Sequence, residues 1–294
     1  MNIADMFQED RTVLSYEVFP PKGDKPIESI YDTLDELGRL RPDFISVTYG
    51  AAGNVANTAT IDIAGYIQKQ YQIQSIAHLT CVHATYANID QILSDLKARG
   101  VDNILALRGD IVDGMEPKKD FLHASDLAKY IMDKGGFHVS GACYPEVHQD
   151  AKNAIEDIKN LKVKVDSGVD HLISQLFFNN TVFFDFVEKA RIAGIDVPIE
   201  AGIMPVTNKK QIERMVTMCG ASLPAKFVKV MQRFEDNPEA LRDAGIAYAI
   251  DQIIDLVANG VDGVHIYTMN NPYVARRISE GVESIVRGSR RTSR

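Results

Sequence analysis

The sequence predicts an α/β protein of the (β/α)8 barrel, or TIM barrel, class. Three observations lead to this prediction: apolar runs alternate with amphipathic segments, about eight such pairs follow one another, and no low-complexity linker interrupts the 294 residues. Continuous apolar runs are typical of parallel strands that are covered on both faces. Right-handed crossovers repeated in this way close a barrel of about 250 residues. We therefore predict one barrel domain at 1–288 and a flexible tail at 289–294.

The predicted strands are the short apolar runs. They lie at 12–18, 43–48, 73–80, 103–107, 138–143, 171–176, 198–203 and 263–267. The helices between them are marked by apolar residues three or four positions apart and by end signals. Pro26 opens the first helix, Ser125 caps the fourth, and Gly100 closes the third. Helices are predicted at 26–41, 58–71, 89–100, 125–135, 155–168, 182–194 and 274–286, with several more within 208–260.

A doubly wound open sheet is the main alternative fold. That class ordinarily has a glycine-rich turn after its first strand, where a pyrophosphate approaches the backbone. Here the turn reads Phe19-Pro20-Pro21-Lys22 and contains no glycine. The sequence therefore favours the barrel.

Composition is that of an ordinary globular protein and favours a location in the cytoplasm. The net charge of −8 argues against nucleic acid or an anionic membrane surface as a partner, because both attract basic patches. Cys81, Cys143 and Cys219 have no metal-ligand spacing, so they are predicted to be reduced thiols rather than a zinc site. No secretory signal pattern opens the sequence, and no apolar run approaches the length of about 18 residues typical of a membrane span.

Polar side chains stand at the carboxyl ends of most predicted strands. In a (β/α)8 barrel these ends form the mouth that carries the active site. Each such residue has a simpler explanation as a hydrogen-bonded interior group, and a lone His is more often of that kind. Buried polar groups cost free energy unless they find partners, however, so the whole set favours a binding site. The set is Glu17, Thr48, Tyr49, His78, Thr80, Arg108, Asp110, Tyr144, Glu146, His148, Gln175, His265, Tyr267 and Thr268.

Glu17 is the strongest candidate for a catalytic residue. It lies in an apolar strand and is followed by two prolines that stiffen the backbone. Partial desolvation favours the protonated form of a carboxyl group, and a protonated carboxyl can act as a general acid. A buried ion pair of Glu17 with Arg or Lys is the alternative.

A second candidate feature is the Arg108-Gly109-Asp110 segment at the end of the fourth strand. The glycine permits close approach of a flat ligand to the backbone. A simple surface ion pair between Arg108 and Asp110 is the alternative.

Six motifs, in order, resemble those of the bacterial methylenetetrahydrofolate reductase family. They are Phe19-Pro20-Pro21-Lys22 after Glu17, Ser46-Val47-Thr48-Tyr49-Gly50-Ala51, His78-Leu79-Thr80-Cys81, Leu105-Ala106-Leu107-Arg108-Gly109-Asp110, Tyr144-Pro145-Glu146-Val147-His148 and Gly202-Ile203-Met204-Pro205-Val206. The resemblance covers nearly the whole chain. It implies a (β/α)8 flavoprotein that binds FAD non-covalently and reduces 5,10-methylenetetrahydrofolate to 5-methyltetrahydrofolate. It also implies a ping-pong reaction with NADH or NADPH as the donor, and a homo-oligomer.

The resemblance assigns roles to matching positions. Glu17 matches the catalytic glutamate that supplies a proton for opening the folate ring, and Asp110 matches an aspartate that tunes the flavin and the pterin. Gln175 matches a folate-contacting glutamine, and Tyr267 is assigned to the same substrate site. The positions implied to line the FAD site are Thr48, Tyr49, His78, Arg108, Gly109, Asp110, Tyr144, His148, Asp157, Asn160 and Lys164.

Two positions depart from the family pattern. Met215 stands where some relatives place an aromatic residue against the folate or the nicotinamide, and Val163 stands where some have a basic residue near the FAD. The first departure bears on substrate stacking. The second bears on contacts to the FAD phosphates, for which Lys164 is still present.

Three other functions are weighed against this one. A barrel of the same family can take electrons from a partner flavoprotein or ferredoxin instead of a nicotinamide. A non-catalytic barrel can bind folate or flavin, with Glu17 and Asp110 only satisfying the pterin. A metal-dependent lyase or hydrolase would use His78, His148 and His265, but no His-x-His pair follows the first strand.

Overall fold

Eight parallel strands close into a barrel in their order along the chain. The structure is a computed structural model and describes residues 1–21, 25–49, 54–111 and 114–289, without the side chains at 54–57, 209, 214 and 218. The strands are β1 (Val13–Val18), β2 (Phe44–Val47), β3 (Gln74–Thr80), β4 (Asn103–Leu107), β5 (His138–Cys143), β6 (Val169–Ser174), β7 (Ile199–Ile203) and β8 (Gly263–Tyr267). β8 pairs with β1 in parallel, which closes the sheet. The predicted (β/α)8 fold is confirmed.

Helices surround the barrel. They are α1 (Tyr31–Arg39), α2 (Asn54–Tyr71), α3 (Tyr86–Ala98), α4 (Ala124–Lys134), α5 (Ala154–Asp166), α6 (Asn180–Ile192), α7 (Lys209–Cys219), α8 (Ala225–Phe234), α9 (Pro238–Ala258) and α10 (Pro272–Gly288). Their apolar faces and the outward side chains of the strands form the main core. In the described part of the chain, no helix combines the length and the apolar character that crossing a membrane requires.

Several predicted helix starts are wrong. Pro26 opens a 3₁₀ helix, Ile27–Ile30, and α1 begins only after it. α2 begins four residues before the predicted Thr58. α4 is capped at His123 rather than Ser125, because the Asp126 carboxylate accepts from the backbone N–H of His123 at 2.9 Å.

Strand β6 ends two residues earlier than the sequence predicts. The apolar run continues beyond Ser174, but its backbone leaves the sheet: the Phe177 and Phe178 carbonyls accept from Gln252 and Tyr248 of α9 at 3.0 and 2.7 Å. Leu176 and Phe178 then pack in a second apolar cluster under α7 and α8. The apolar run is continuous because its earlier residues, such as Leu172, pack in the main core and its last residues pack in the second cluster.

The amino-terminal end of the barrel is closed by a 3₁₀ helix, Ile3–Gln8, that the sequence analysis does not predict. Its Ile3, Met6 and Phe7 pack with inward-facing residues at the starts of the strands. The Phe7 ring stacks on His171 with centroids 4.7 Å apart. With this end filled by side chains, the carboxyl-terminal mouth is the face on which a barrel site forms.

The predicted tail lies almost wholly outside the described residues. Of 289–294 only Ser289 is described, and its hydroxyl lies 3.0 Å from the Thr12 hydroxyl. The flexibility of the remaining residues stays a prediction.

Candidate active site

Glu17 points into the mouth of the barrel and retains contact with solvent. Its side chain is 20% exposed, and its carboxyl Oε2 lies 3.8 Å from the Nε2 atoms of His78 and His265. Residues at alternate positions of a strand face the same side, so Glu17 shares the interior with Ser15 and Val13 of β1. Within the described residues, Glu17 pairs with these two histidines and with neither Arg nor Lys. The buried Arg or Lys ion pair considered above is therefore wrong.

His78 is a neutral side chain at neutral pH. Desolvation lowers its pKa to about 4, against an opposing effect of the Glu17 charge. Its Nε2 atom is buried and has no hydrogen-bond partner. An unpaired buried nitrogen is rare in native structures, and its place at the mouth fits a group that bonds a ligand.

Stability should depend on pH through His78. Because its pKa is lowered from 6.5 to about 4 on folding, the unfolded chain binds more protons between these values, and stability falls as pH decreases through that window. We expect His78→Gln to remove up to about 3 kcal/mol of this pH dependence. Urea unfolding of both proteins at pH values above and within the window measures it. An equal pH dependence in the two proteins would contradict the lowered pKa.

The loop after β8 holds the end of β1 in place. The Thr268 hydroxyl donates to the Glu17 carbonyl at 2.6 Å. The Asn270 side chain accepts from Phe19 N at 3.0 Å and donates to Phe19 O at 2.8 Å. Asn270 was not singled out in the sequence, because these contacts depend on the closure of the barrel. They fix the backbone at Glu17 and two residues after it.

Tyr267 ends β8 and Gln175 directly follows β6, the two strands on either side of β7. The Tyr267 hydroxyl donates to the Ser174 carbonyl at 2.7 Å, and burial raises its pKa well above the ordinary value. Gly202 makes this contact possible, since a Cβ there would lie 2.3 Å from Ser174 O and 2.8 Å from the Tyr267 hydroxyl. The Gln175 side-chain oxygen accepts from Leu176 N at 2.9 Å, so its NH2 group points away from Leu176 N.

A cavity of about 390 Å³ lies beside the mouth, at the ends of β4 and β5. Six of the residues predicted to bind FAD line it: Arg108, Tyr144, His148, Asp157, Asn160 and Lys164. Val163, the departure noted above, lines it as well and is exposed. Six predicted residues from three separate segments are thus brought together at one cavity.

The polar groups of this cavity are held by local hydrogen bonds. Lys164 Nζ donates to the Ala142 carbonyl at 2.6 Å, and burial lowers the pKa of Lys164. Asp157 accepts from His148 N at 3.0 Å, while burial raises the pKa of Asp157. The Tyr144 and His148 rings meet edge to face at 4.5 Å, and burial raises the pKa of Tyr144 to about 12.

The structure adds cavity residues that the sequence analysis missed. His123, Ala124 and Ser125 form the first turn of α4 and line the cavity. A helix start offers backbone N–H groups and a partial positive charge to an anion. Ser125 was read only as a cap, and nothing in the sequence says which helix start faces the cavity. Asp150 was also missed, although it pairs with Arg108 at 2.6 Å.

The remaining predicted residues lie around the mouth but do not line this cavity. Thr48 and Tyr49 follow β2 and are half-buried. Gly109 has φ +85°, and a Cβ there would lie 2.9 Å from the Thr80 Cβ. Asp110 is exposed. No described contact joins it to Arg108, because the Arg108 guanidinium pairs with Asp150 instead. The surface ion pair within Arg108-Gly109-Asp110 is therefore wrong.

Asp110 lies near helix α7, and Met215 lies on it. Burial raises the pKa of Cys219 on α7, and the charge of Asp110 raises it further, which places Asp110 beside this helix. Met215 packs against the second apolar cluster, as does Tyr267. In the described part of the chain, no cluster of three or more His, Cys, Asp or Glu side chains suits a metal ion.

A parallel eight-stranded barrel with a carboxyl group, two histidines and a lined cavity at its carboxyl-terminal end defines a (β/α)8 protein with an enzyme-like site. The family model described as methylenetetrahydrofolate reductase matches residues 2–283. The chain belongs to the methylenetetrahydrofolate reductase family. This confirms the resemblance found in its motifs.

Individual relatives differ in how much of them the chain covers. The 5,10-methylenetetrahydrofolate reductase of Escherichia coli is 36% identical over 257 residues, which is 87% of this chain and 86% of that protein. Methylenetetrahydrofolate reductase (NADH) 1 of Arabidopsis thaliana is 34% identical over 283 residues, which is 91% of this chain and 48% of that protein. The chain thus spans about half the length of the plant relatives it matches.

A solved structure confirms the fold independently of sequence similarity. A protein from Clostridium thermocellum, described as binding two copies of 5-methyl-5,6,7,8-tetrahydrofolic acid, superimposes with a TM-score of 0.71. It is 16% identical, and the match covers 96% of this chain and 98% of that one.

Proposed function

We propose that the protein reduces 5,10-methylenetetrahydrofolate to 5-methyltetrahydrofolate, with NADH or NADPH as donor and FAD as the carrier in a ping-pong reaction. The observation that carries this proposal is the placement of Glu17 at the barrel mouth, beside a cavity lined by six residues predicted to bind FAD. The bacterial relative and the plant relative described above are both named as methylenetetrahydrofolate reductases.

The cavity residues fit FAD by their chemistry. Lys164, Arg108 and the start of α4 provide positive charge for the pyrophosphate. Gly109 lacks a side chain where the backbone turns with positive φ, which suits close approach of a flat ring. The unpaired Nε2 of His78 offers a buried polar atom to the same ligand. When bound, FAD would supply two-electron transfer between the nicotinamide and the folate.

The chain's own residues then perform the proton chemistry. A protonated Glu17 donates a proton to the folate nitrogen that leaves when the five-membered ring opens. Asp110 in its ionised form favours the positive charge that develops on the folate during this step. Gln175 and Tyr267 hold the pterin from the β6 to β8 side, and Met215 takes the place of an aromatic contact.

The donor is the finer part of the proposal and has a direct test. Purified protein supplied with NADH, then NADPH, and 5,10-methylenetetrahydrofolate should form 5-methyltetrahydrofolate, measured by chromatography. Product formed only after a reduced ferredoxin or flavoprotein is added would transfer the function to the alternative donor. No product with any donor, although folate binds, would identify a folate-binding barrel without catalysis.

We also propose that the protein acts in the cytoplasm as a homo-oligomer. The family resemblance and the three unpaired cysteines support this setting. Light scattering on the purified protein at several concentrations measures its mass. A monomer at every concentration would contradict the oligomer.

A further inference from the structure

A file of buried polar side chains leads from Glu17 into the closed part of the barrel. We call it the interior file, and it consists of Glu17, His265, Ser15, Glu200, His171 and Ser140. Every member except Glu17 is buried. The proposed chemistry uses Glu17 alone and leaves the rest unexplained. Five polar side chains at such depth require a reason, because each costs free energy to desolvate.

The distances along the file are short. Ser15 Oγ lies 2.6 Å from His265 Nδ1 and 2.9 Å from Glu200 Oε1. Glu200 Oε2 lies 3.1 Å from His171 Nε2, and His171 Nδ1 lies 2.9 Å from Ser140 Oγ. The register of the barrel creates this order, since Ser15 is the direct neighbour of His265 across the β1–β8 pair.

Glu200 occupies space that a glycine provides. A Cβ at Gly263 would lie 2.7 Å from Glu200 Cγ and 2.8 Å from Glu200 Oε1. The glycine at this position of β8 therefore leaves the space that the Glu200 carboxyl group occupies.

The hydrogen bond between Ser15 and Glu200 fixes the direction of the next bond. The Ser15 hydroxyl donates to Glu200 Oε1 at 2.9 Å. With its proton committed to Glu200, Ser15 can only accept from His265 Nδ1 at 2.6 Å. His265 then carries its proton on Nδ1, and its Nε2 presents a lone pair.

The lone pair of His265 Nε2 faces Glu17 and Ser46. The Ser46 hydroxyl lies 3.4 Å from Nε2, and Glu17 Oε2 lies 3.8 Å away. The latter distance is longer than a hydrogen bond, but a small movement of the carboxyl group closes it. Even without that bond, a lone pair beside the carboxyl group disfavours negative charge on Glu17 and favours its protonated form.

Among the described residues, the other titratable groups that face Glu17 do not oppose this effect. His78 on β3 is neutral at neutral pH because desolvation lowers its pKa to about 4. Tyr267 on β8 is neutral because burial raises its pKa well above the ordinary value. The proton position on His265 is thus the variable that decides which form of Glu17 its surroundings favour.

We propose that Glu200 is a positioning residue that holds His265 in its Nδ1–H tautomer through Ser15 and thereby keeps Glu17 protonated for catalysis. His171 lies on the other side of Glu200, with its Nε2 atom 3.1 Å from Glu200 Oε2 but without a hydrogen bond between them, and its Nδ1 atom 2.9 Å from Ser140 Oγ. The assignment of the acid role to Glu17 rests on the proposed function, whereas the tautomer of His265 does not.

The tautomer is measurable without any activity. Imidazole nitrogen shifts from NMR distinguish an Nδ1–H from an Nε2–H histidine, and one substitution at His265 assigns its signals among the seven histidines. We expect the Nδ1–H form in the parent protein. In Glu200→Leu, the Ser15 hydroxyl loses its acceptor and turns to His265 Nδ1, so the proton should move to Nε2. In Ser15→Ala, an unpaired Nδ1–H would be costly, which gives the same result.

The consequence for Glu17 is measured in the folate half-reaction. With its proton on Nε2, His265 stabilises the Glu17 carboxylate, so the pH above which this half-reaction slows should move down in both variants. A shift of one pH unit lowers the rate about tenfold on the alkaline side. Reduction by the nicotinamide should change less than about twofold, because this step needs no proton from Glu17.

Ser75→Ala is the matched control. It removes a buried hydroxyl of β3 that donates to the Ala64 carbonyl and belongs to neither the file nor the mouth. It should cost stability but leave the tautomer and the pH profile unchanged.

An unchanged tautomer and pH profile in Ser15→Ala and Glu200→Leu would overturn the proposal and leave the file as a structural network. If Glu200→Leu fails to fold, Ser15→Ala decides alone. If the parent protein lacks the folate half-reaction, the proposed function fails while the NMR result still decides the file.

Discussion

Glu17→Gln is expected to abolish the folate half-reaction and spare the nicotinamide half-reaction. The amide is nearly isosteric and keeps the contacts of the mouth, but it cannot donate a carboxylic proton. One general acid contributes about 10²–10⁴-fold, so the rate with 5,10-methylenetetrahydrofolate should fall by that factor. Stopped-flow absorbance of bound FAD, first with NADH and then with the folate, separates the two rates.

The control for this experiment is Glu36→Gln. Glu36 lies on α1, where its carboxylate is 3.9 Å from Arg276 and half-exposed, so the same chemical change is made away from the mouth. Both half-reactions should survive it. Equal loss of both half-reactions in Glu17→Gln would assign Glu17 to structure or FAD binding. An undiminished folate half-reaction would remove it from catalysis.

Gly109→Ala is expected to have the largest effect on FAD retention. At φ +85° a side chain is strained by roughly 1 kcal/mol, and the added Cβ would lie 2.9 Å from the Thr80 Cβ. Relief of that contact must move either β3 or the turn that the flavin ring approaches. We expect FAD affinity to fall at least about tenfold, which corresponds to roughly 1.4 kcal/mol. Equilibrium dialysis of the apoprotein against FAD measures it.

Gly114→Ala provides a control with the same backbone strain. Gly114 has φ +81°, but nothing lies within 4 Å of a Cβ built there. It should therefore lose a similar amount of folding stability and keep its FAD affinity. Equal affinity losses in the two variants would mean that backbone strain, rather than the Thr80 contact, controls binding.

Most of the barrel could be predicted because its strands are buried on both faces. Such strands appear in the sequence as uninterrupted apolar runs, and seven of them were placed to within one residue at each end. β6 was shifted because Leu176 and Phe178 are equally apolar but belong to another cluster. The start of α4 was misplaced because its cap is made by a carboxylate inside the helix, at Asp126.

The site was predictable only in part. Glu17 stands out because a carboxyl group in an apolar strand is unusual, and a strand-end position follows from the pattern. The link between Ser15, His265 and Glu200 joins residues up to 250 positions apart. It depends on which residues meet when β8 closes on β1, and local sequence holds no such signal. The first turn of α4 was missed at the cavity for the same reason.

The most direct test of the central claim is an anaerobic absorbance titration of the purified protein. We predict that it carries or takes up FAD, that the flavin absorbance is bleached by NADH or NADPH, and that added 5,10-methylenetetrahydrofolate restores it with formation of 5-methyltetrahydrofolate. A protein that takes up no FAD, or whose reduced flavin is indifferent to the folate, would contradict a flavin-dependent folate reductase built around Glu17.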